Sequence, residues 1–298
     1  MTEPIKLKFI PLNFSWVALH PQPIGVIHFI GGAFFGTFPT IFYRYLLSDL
    51  FHQGYTIIVL PYRFTFRHWA VAINLVQDLV TLREAIVNEA KHRDYDYKLY
   101  QEEEEEEPRT KKANYFWLGH SLGCKYITLL ELLTDLEKSH VNHPNKITHI
   151  FGNCLPLPEQ KNLQALLANI DLTKISIENQ TSILMAPAIE GIEGAIPFLR
   201  FPQFTRIKKI INNIGFKVEP SQEETLSLIQ QSQLFNLTHL IEFKQDTRIA
   251  ASTVEWLLKN LDRRLVQKKK LEGKHLAPLG WINGNPKIGK TVKKFLNR

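Results

Sequence analysis

A serine held between two glycines, with a strand-type run before it and a helix-type run after it, constrains this chain more than any other feature. Gly119-His120-Ser121-Leu122-Gly123 fits the pattern G-x-S-x-G. Five loosely specified positions recur by chance, so the flanks decide what the pattern is worth. Asn114 to Leu118 (NYFWL) is a short apolar and aromatic run of strand type. Leu122 to Leu133 (LGCKYITLLELL) is a run of helix type. A serine on a sharp strand-to-helix turn is the context the motif needs. A Cβ at Gly119 or Gly123 would collide with the neighbouring strand or helix, and glycine has none. The turn lifts the Ser121 hydroxyl clear of the sheet and sets it at a helix N-terminus. The free N–H groups there can stabilise developing negative charge.

A nucleophilic serine needs a base, and the base needs an orienting acid. On strand–elbow–helix frameworks the chain order is Ser, then Asp or Glu, then His. Leu237 to Phe243 (LTHLIEF) reads as a late strand, and a helical stretch runs from Ala250 to Arg264. Asp246 lies on the loop between them, where the acid is expected, and it is also a favoured helix N-cap residue. Glu242 competes, but strand alternation points it elsewhere. Val266 to Leu271 reads as a lysine-rich last edge strand, and it leads to Gly273-Lys274-His275. His275 on this loop can reach Ser121, so Ser121, Asp246 and His275 form the expected catalytic set. Ile24 to Ile30 is an early strand running into Gly31-Gly32-Ala33-Phe34. The N–H of Ala33 or Phe34, with that of Leu122, is the expected oxyanion hole. His120 is expected to pack beside the site, and His28 to be structural or to lie near the oxyanion loop.

The 298 residues and 44% hydrophobic content suit one α/β domain, or a core plus a cap. Two cysteines, Cys124 and Cys154, are too few for a disulfide framework or a zinc cluster. No metal is expected, and the chemistry of the expected set needs no cofactor. Met1 to Leu7 lacks the n-region and h-region of a signal peptide. The apolar stretch Pro23 to Leu47 carries His28, Arg44, Pro39 and clustered glycines, so it reads as strand, loop and helix rather than a membrane span. The formal net charge is +7, with many lysines and arginines after Arg263. No phosphate loop, zinc finger or RNA-binding signature accompanies them, so nucleic acid is not an expected partner. The tail carries Ile288, Val292, Phe295 and Leu296 among its lysines. It reads as a solvated basic tail or as a peripheral contact with an anionic membrane surface.

Strand-type and helix-type runs alternate along the chain, which argues for a mainly parallel sheet. Lys6 to Ala18 and Tyr55 to Leu60 read as strands, and about Pro39 to Gln53 and about His68 to Lys91 as helices. Residues 101–112 (QEEEEEEPRTKK) interrupt the rhythm as an acidic loop expected to be disordered. Lys146 to Gly152 and Ser182 to Ala186 both look strand-like, and the second is the expected sheet strand. The core is expected over residues 1–187 and 236–298, with a cap inserted over 188–235. Ile196-Pro197-Phe198-Leu199-Arg200-Phe201-Pro202 gives that cap an apolar, partly basic character, suited to a hydrophobic acyl substrate bearing an acidic group.

Four separated motifs occur in order: His28 to Leu47 (HFIGGAFFGTFPTIFYRYLL), Gly119 to Leu133, Glu219 to Thr225 (EPSQEET) and Leu271 to Pro278 (LEGKHLAP). Together they resemble the α/β-hydrolase-like family known as domain of unknown function 1350, found in cyanobacteria and plant chloroplasts. The resemblance spans most of the chain. It implies an α/β-hydrolase fold and a photosynthetic setting, in the cytoplasm or peripheral to a photosynthetic membrane. It maps the family's elbow serine, loop aspartate and C-terminal histidine onto Ser121, Asp246 and His275, and it supplies no substrate. Two functional readings follow: a serine hydrolase of carboxylic esters or related acyl compounds, and a non-catalytic hydrolase-fold assembly or binding factor.

Overall fold

The computed structural model describes residues 5–101, 114–139, 146–189, 217–261, 263–280 and 283–297. Most of the acidic loop and residues 190–216 of the expected cap lie outside the described residues.

The fold grows from strands that are apolar on both faces. β3 (Gly25–Ile30), β4 (Tyr55–Val59) and β5 (Tyr115–His120) are buried along their whole lengths. Such continuous runs belong in a parallel sheet covered on both sides. The chain between them forms α1 (Pro39–Phe42), α2 (Arg44–His52), α3 (His68–Val76) and α4 (Leu79–His92). After β5 come α5 (Leu122–Lys138), α6 (Lys146–Phe151), α7 (Leu157–Leu167), α8 (Leu172–Ile175) and β6 (Thr181–Met185). The last described elements are α9 (Gln222–Gln231), β7 (Thr238–Phe243), α10 (Ala251–Leu261), β8 (Gln267–Leu271) and α11 (Pro286–Leu296). With β1 (Ile10–Leu12) and β2 (Ser15–Ala18) the sheet has eight strands in the order β1-β2-β4-β3-β5-β6-β7-β8. Only the β1–β2 and β2–β4 pairings are antiparallel.

β3 is flanked by β4 on one side and β5 on the other, so the chain leaves its carboxyl end in one direction and returns in the other. A crevice opens at such a reversal, and ligands of open α/β sheets bind there. The loop after β3 and the turn after β5 both end in it. Helix α5 packs against α3, α6, α8 and α9, while α2 and α11 pack together over β4 and β8. Lys125, fully buried on α5, donates to the Pro220 carbonyl at 2.6 Å and fastens the chain ahead of α9. Burial pushes its ammonium down to about 7.

Several expectations change in detail. The first strand is a hairpin, because Asn13 takes a positive φ of 50° and turns the chain between β1 and β2. Each of the two long early helices is broken, at Tyr43 and around Gln77–Asp78. Of the two strand-like runs before the cap, residues 146–151 form helix α6 and only 181–185 join the sheet. The basic tail is not simply solvated. Ile288, Val292, Phe295 and Leu296 are buried on one face of α11, which leaves its lysines outward. The apolar residues that could have met a membrane are used in the core.

Candidate active site

The elbow forms as its residue types require. Ser121 has φ 56° and ψ −119°, a strained conformation outside the regions open to most side chains. The turn is fastened on both sides: the Ser121 N–H donates to the Met185 carbonyl at 3.1 Å, and the Ala188 N–H donates to the Ser121 carbonyl at 3.2 Å. A Cβ at Gly123 would lie 2.2 Å from the Ile30 carbonyl oxygen, and one at Gly119 would lie 2.8 Å from Ile127 Cδ1 and 2.9 Å from the Cys124 nitrogen. Both glycines are therefore demanded by close backbone approach. Cys124 is buried behind the turn, with its thiol donating to the Met185 carbonyl at 3.4 Å.

Asp246 and His275 arrive from the carboxyl ends of β7 and β8, which run parallel and adjacent. The two loops are laced together. Lys244 and Gln245 donate backbone N–H groups to the carbonyls of Leu271 (2.9 Å) and Gly273 (3.0 Å). Glu272 accepts from the Lys244 ammonium and, at 2.7 Å, from the Gln245 amide. Asp246 Oδ2 lies 2.6 Å from His275 Nδ1, and His275 Nε2 lies 2.8 Å from Ser121 Oγ. A carboxylate only accepts, so Nδ1 carries the proton and Nε2 accepts from the serine hydroxyl. Ser121, Asp246 and His275 are all buried. Burial alone would raise the Asp246 pKa; the hydrogen bond and charge of His275, with the Ala250 and Ile249 amides, outweigh it and hold the carboxyl below its usual range. Those amides reach Oδ1 at 3.3 and 3.2 Å, so Asp246 also caps the chain entering α10. Glu242 is directed elsewhere and pairs with Lys270 at 3.1 Å.

The loop after β3 lies beside the serine, since a Cβ at Gly32 would come within 3.0 Å of Ser121 Cβ. Its turn is closed by Gly36 N–H donating to Gly32 O and Phe35 N–H to Ala33 O, both at 2.6 Å. Phe34 has φ 59°. Leu122 is the first residue of α5, so its N–H has no intrahelical acceptor. No acceptor for the Ala33 N–H occurs among the described residues. The Gly32 N–H is taken: it donates to the Tyr43 hydroxyl at 2.8 Å.

Tyr43 opens a second chain of hydrogen bonds. Its hydroxyl donates to His120 Nδ1 at 2.7 Å, and His120 Nε2 donates to the His275 carbonyl at 2.9 Å. Burial raises the Tyr43 phenol well above its ordinary pKa, so it stays a donor. Burial, with the neighbouring His275, pushes His120 down to about 3. Two histidines thus face each other with ring centroids 5.1 Å apart, and His120 stays neutral. Sequence reasoning placed His120 beside the site without its partners, and it gave no role to Tyr43, although Tyr43 lies within the motif from His28 to Leu47. His28 is structural, buried in β3 and stacked on Trp117 at 4.4 Å. Among the described residues, no cluster of three or more His, Cys, Asp or Glu side chains is placed to hold a metal ion. No helix among them is long and apolar enough to cross a membrane.

Residues 9–143 match the model of a family described as "Protein of unknown function (DUF1350)". The matched segment is similar to that family and spans less than half of the chain. The DUF1350 match includes the β3 loop, Tyr43 and the elbow and ends before Asp246 and His275. A search of curated proteins finds no match. Among solved structures, esterase B from Lactobacillus rhamnosis is similar, with 16% identity, a TM-score of 0.51, and coverage of 94% of this chain and 79% of that one. A candidate carboxylesterase from Lactobacillus plantarum is similar over 100% of both chains, with 14% identity and a TM-score of 0.52. A second candidate carboxylesterase from the same organism has 11% identity and a TM-score of 0.51, over 98% of this chain and 96% of that one. At these identities the likeness shows the fold, which is that of the α/β-hydrolases.

Proposed function

We propose that this protein is a serine hydrolase acting on a carboxylic ester or a related acyl compound. One observation carries the reading: a single hydrogen-bonded chain runs from the strained Ser121 hydroxyl through His275 to the Asp246 carboxylate, at 2.8 and 2.6 Å. In this reading Ser121 Oγ attacks the acyl carbonyl as His275 Nε2 takes its proton. The imidazolium that forms is stabilised by Asp246, which already holds the required tautomer. The N–H of Leu122, with that of Ala33 or Phe34, faces the developing oxyanion. His275 returns the proton to the leaving oxygen, and water then releases the acyl group by the same steps in reverse. His120 cannot substitute as base, because both its ring nitrogens are engaged and burial opposes its protonation. The residues fit ester, thioester and amide carbonyls alike.

A fluorophosphonate probe tests the reading. The native protein should gain one adduct mass on Ser121, and a folded Ser121→Ala variant should gain none. An unlabelled native protein would overturn it in favour of a non-catalytic binding factor.

A further inference from the structure

The surface around the candidate site has an unusual composition. The chain after β3, from Gly31 to Ser48, and the chain after β4, from Leu60 to Gln77, contain no aspartate or glutamate. They do contain Arg44, Arg63 and Arg67. On the same end of the sheet large apolar side chains stand in solvent: Phe38 is 58% exposed, Leu276 47%, Phe34 42% and Ile41 40%.

These side chains stand on neighbouring loops that form a rim at that end of the sheet. Phe34 stacks on Phe64 at 4.9 Å, and Phe64 meets Phe66 edge-on at 5.4 Å. The loop carrying Leu276 is bonded to the α1–α2 junction, Gly280 N–H to Phe42 O at 3.0 Å and Tyr45 N–H to Gly280 O at 2.9 Å. Leu276 directly follows His275, and Phe34 directly follows Ala33, so the rim adjoins Ser121. Arg44, Arg63 and Lys274 are exposed within or beside it, and none of the three makes an ion pair among the described residues.

Clustered exposed apolar groups on a folded chain mark a contact surface. Aromatic and aliphatic tips flanked by cations, on stretches after β3 and β4 that carry no carboxylate, match the apolar boundary and negative headgroups of an anionic bilayer. A nucleic acid would have no use for Ile41 or Leu276. The lysine face of β8 and α11 offers charge without apolar tips, because the apolar residues of α11 are buried. We propose that the rim of the candidate site docks on an anionic lipid surface, and that the acyl ester delivered to Ser121 is a lipid drawn from it. The second half of this rests on the hydrolase reading; the first does not.

Flotation of the full chain with vesicles of phosphatidylcholine, alone or mixed with phosphatidylglycerol, tests the proposal. Binding should require phosphatidylglycerol and weaken with salt. Phe38→Ser/Ile41→Ser and Arg44→Gln/Arg63→Gln should each lower it about tenfold or more. Lys268→Gln/Lys269→Gln/Lys270→Gln should float as the native protein does. All these side chains are exposed, and thermal unfolding verifies that the variants fold. The Phe38/Ile41 variant should also lose about tenfold in hydrolysis of vesicle lipid while a water-soluble butyryl ester is cleaved at the native rate. Absence of binding to either vesicle, or binding lost only in the triple-lysine variant, overturns the docking surface. A native protein that floats but takes no phosphonate label sinks the hydrolase reading and leaves the surface standing. A labelled protein that does not float does the reverse.

Discussion

Two buried carboxyl groups sit near opposite ends of the same strands and meet opposite fates. At the carboxyl end of β7, Asp246 faces a histidine and two backbone amides, and its pKa falls below the usual range despite burial. Near the amino ends of β6 and β7, Glu131 of α5 receives only the hydroxyls of Ser182 and Thr238, at 2.5 and 3.0 Å. Burial wins there and pushes its carboxyl up to about 8. Burial sets the cost of a charge, and the number and charge of the donors decide whether it is met. The carboxyl end of the sheet keeps a charged acid, which in the proposed mechanism balances a transient imidazolium. The amino end keeps a neutral one that holds strands together.

The comparison is most sharply tested at Ser121 and His275. Ser121→Ala or His275→Ala should each reduce kcat by roughly 10⁴-fold or more on any ester found to be cleaved. Asp246→Asn should come next, with kcat falling about 10⁴-fold because the amide favours the wrong histidine tautomer. A far smaller loss, under about tenfold, would mean that Asp246 serves mainly as the cap of α10. Tyr43→Phe strips a donor from His120 and an acceptor from Gly32. It should cost about 1–3 kcal/mol of stability by thermal unfolding. It should lower kcat by about ten- to a hundredfold without displacing the pH profile, since His120 does not titrate near neutrality.

The smallest effect is expected at the amino end. The folded pKa of Glu131 is raised from 4.5 to about 8, so its contribution to stability is complete below 4.5 and disappears as pH rises through about 8. Glu131→Gln should therefore match the native unfolding free energy near pH 5 and exceed it near pH 9, by an amount of order 3 kcal/mol or less. Equal pH dependence in both proteins would mean that Glu131 is ionised in the fold. Activity near pH 6 should not change.

The elbow, Asp246 and His275 were legible because each stands at a boundary that leaves a local trace: a glycine pair, a strand running into a helix, a loop after a late strand. The parallel sheet was legible for the same reason, in the unbroken apolar runs of β3, β4 and β5. What was not legible depends on contacts distant in sequence. Tyr43 lies within an apolar helical run, and nothing local tells it from Tyr45, yet it reaches His120 across 77 positions of chain. Lys146 to Phe151 alternates like a strand but has no free sheet edge beside it, because Thr181 to Met185 occupies the place next to β5. The lysines of α11 suggested a tail free of the core, although an amphipathic helix buries the residues between them.

His120 is the residue immediately before Ser121, the proposed nucleophile, and its ring donates to the main-chain carbonyl of His275, the proposed base. The two side chains, 154 positions apart, are thus both fastened to the same strand end. A displacement of the end of β5 would be passed through that hydrogen bond to His275 as well. The 2.8 Å gap between the two side chains is thus tied through His120 as well as through the loop that carries His275.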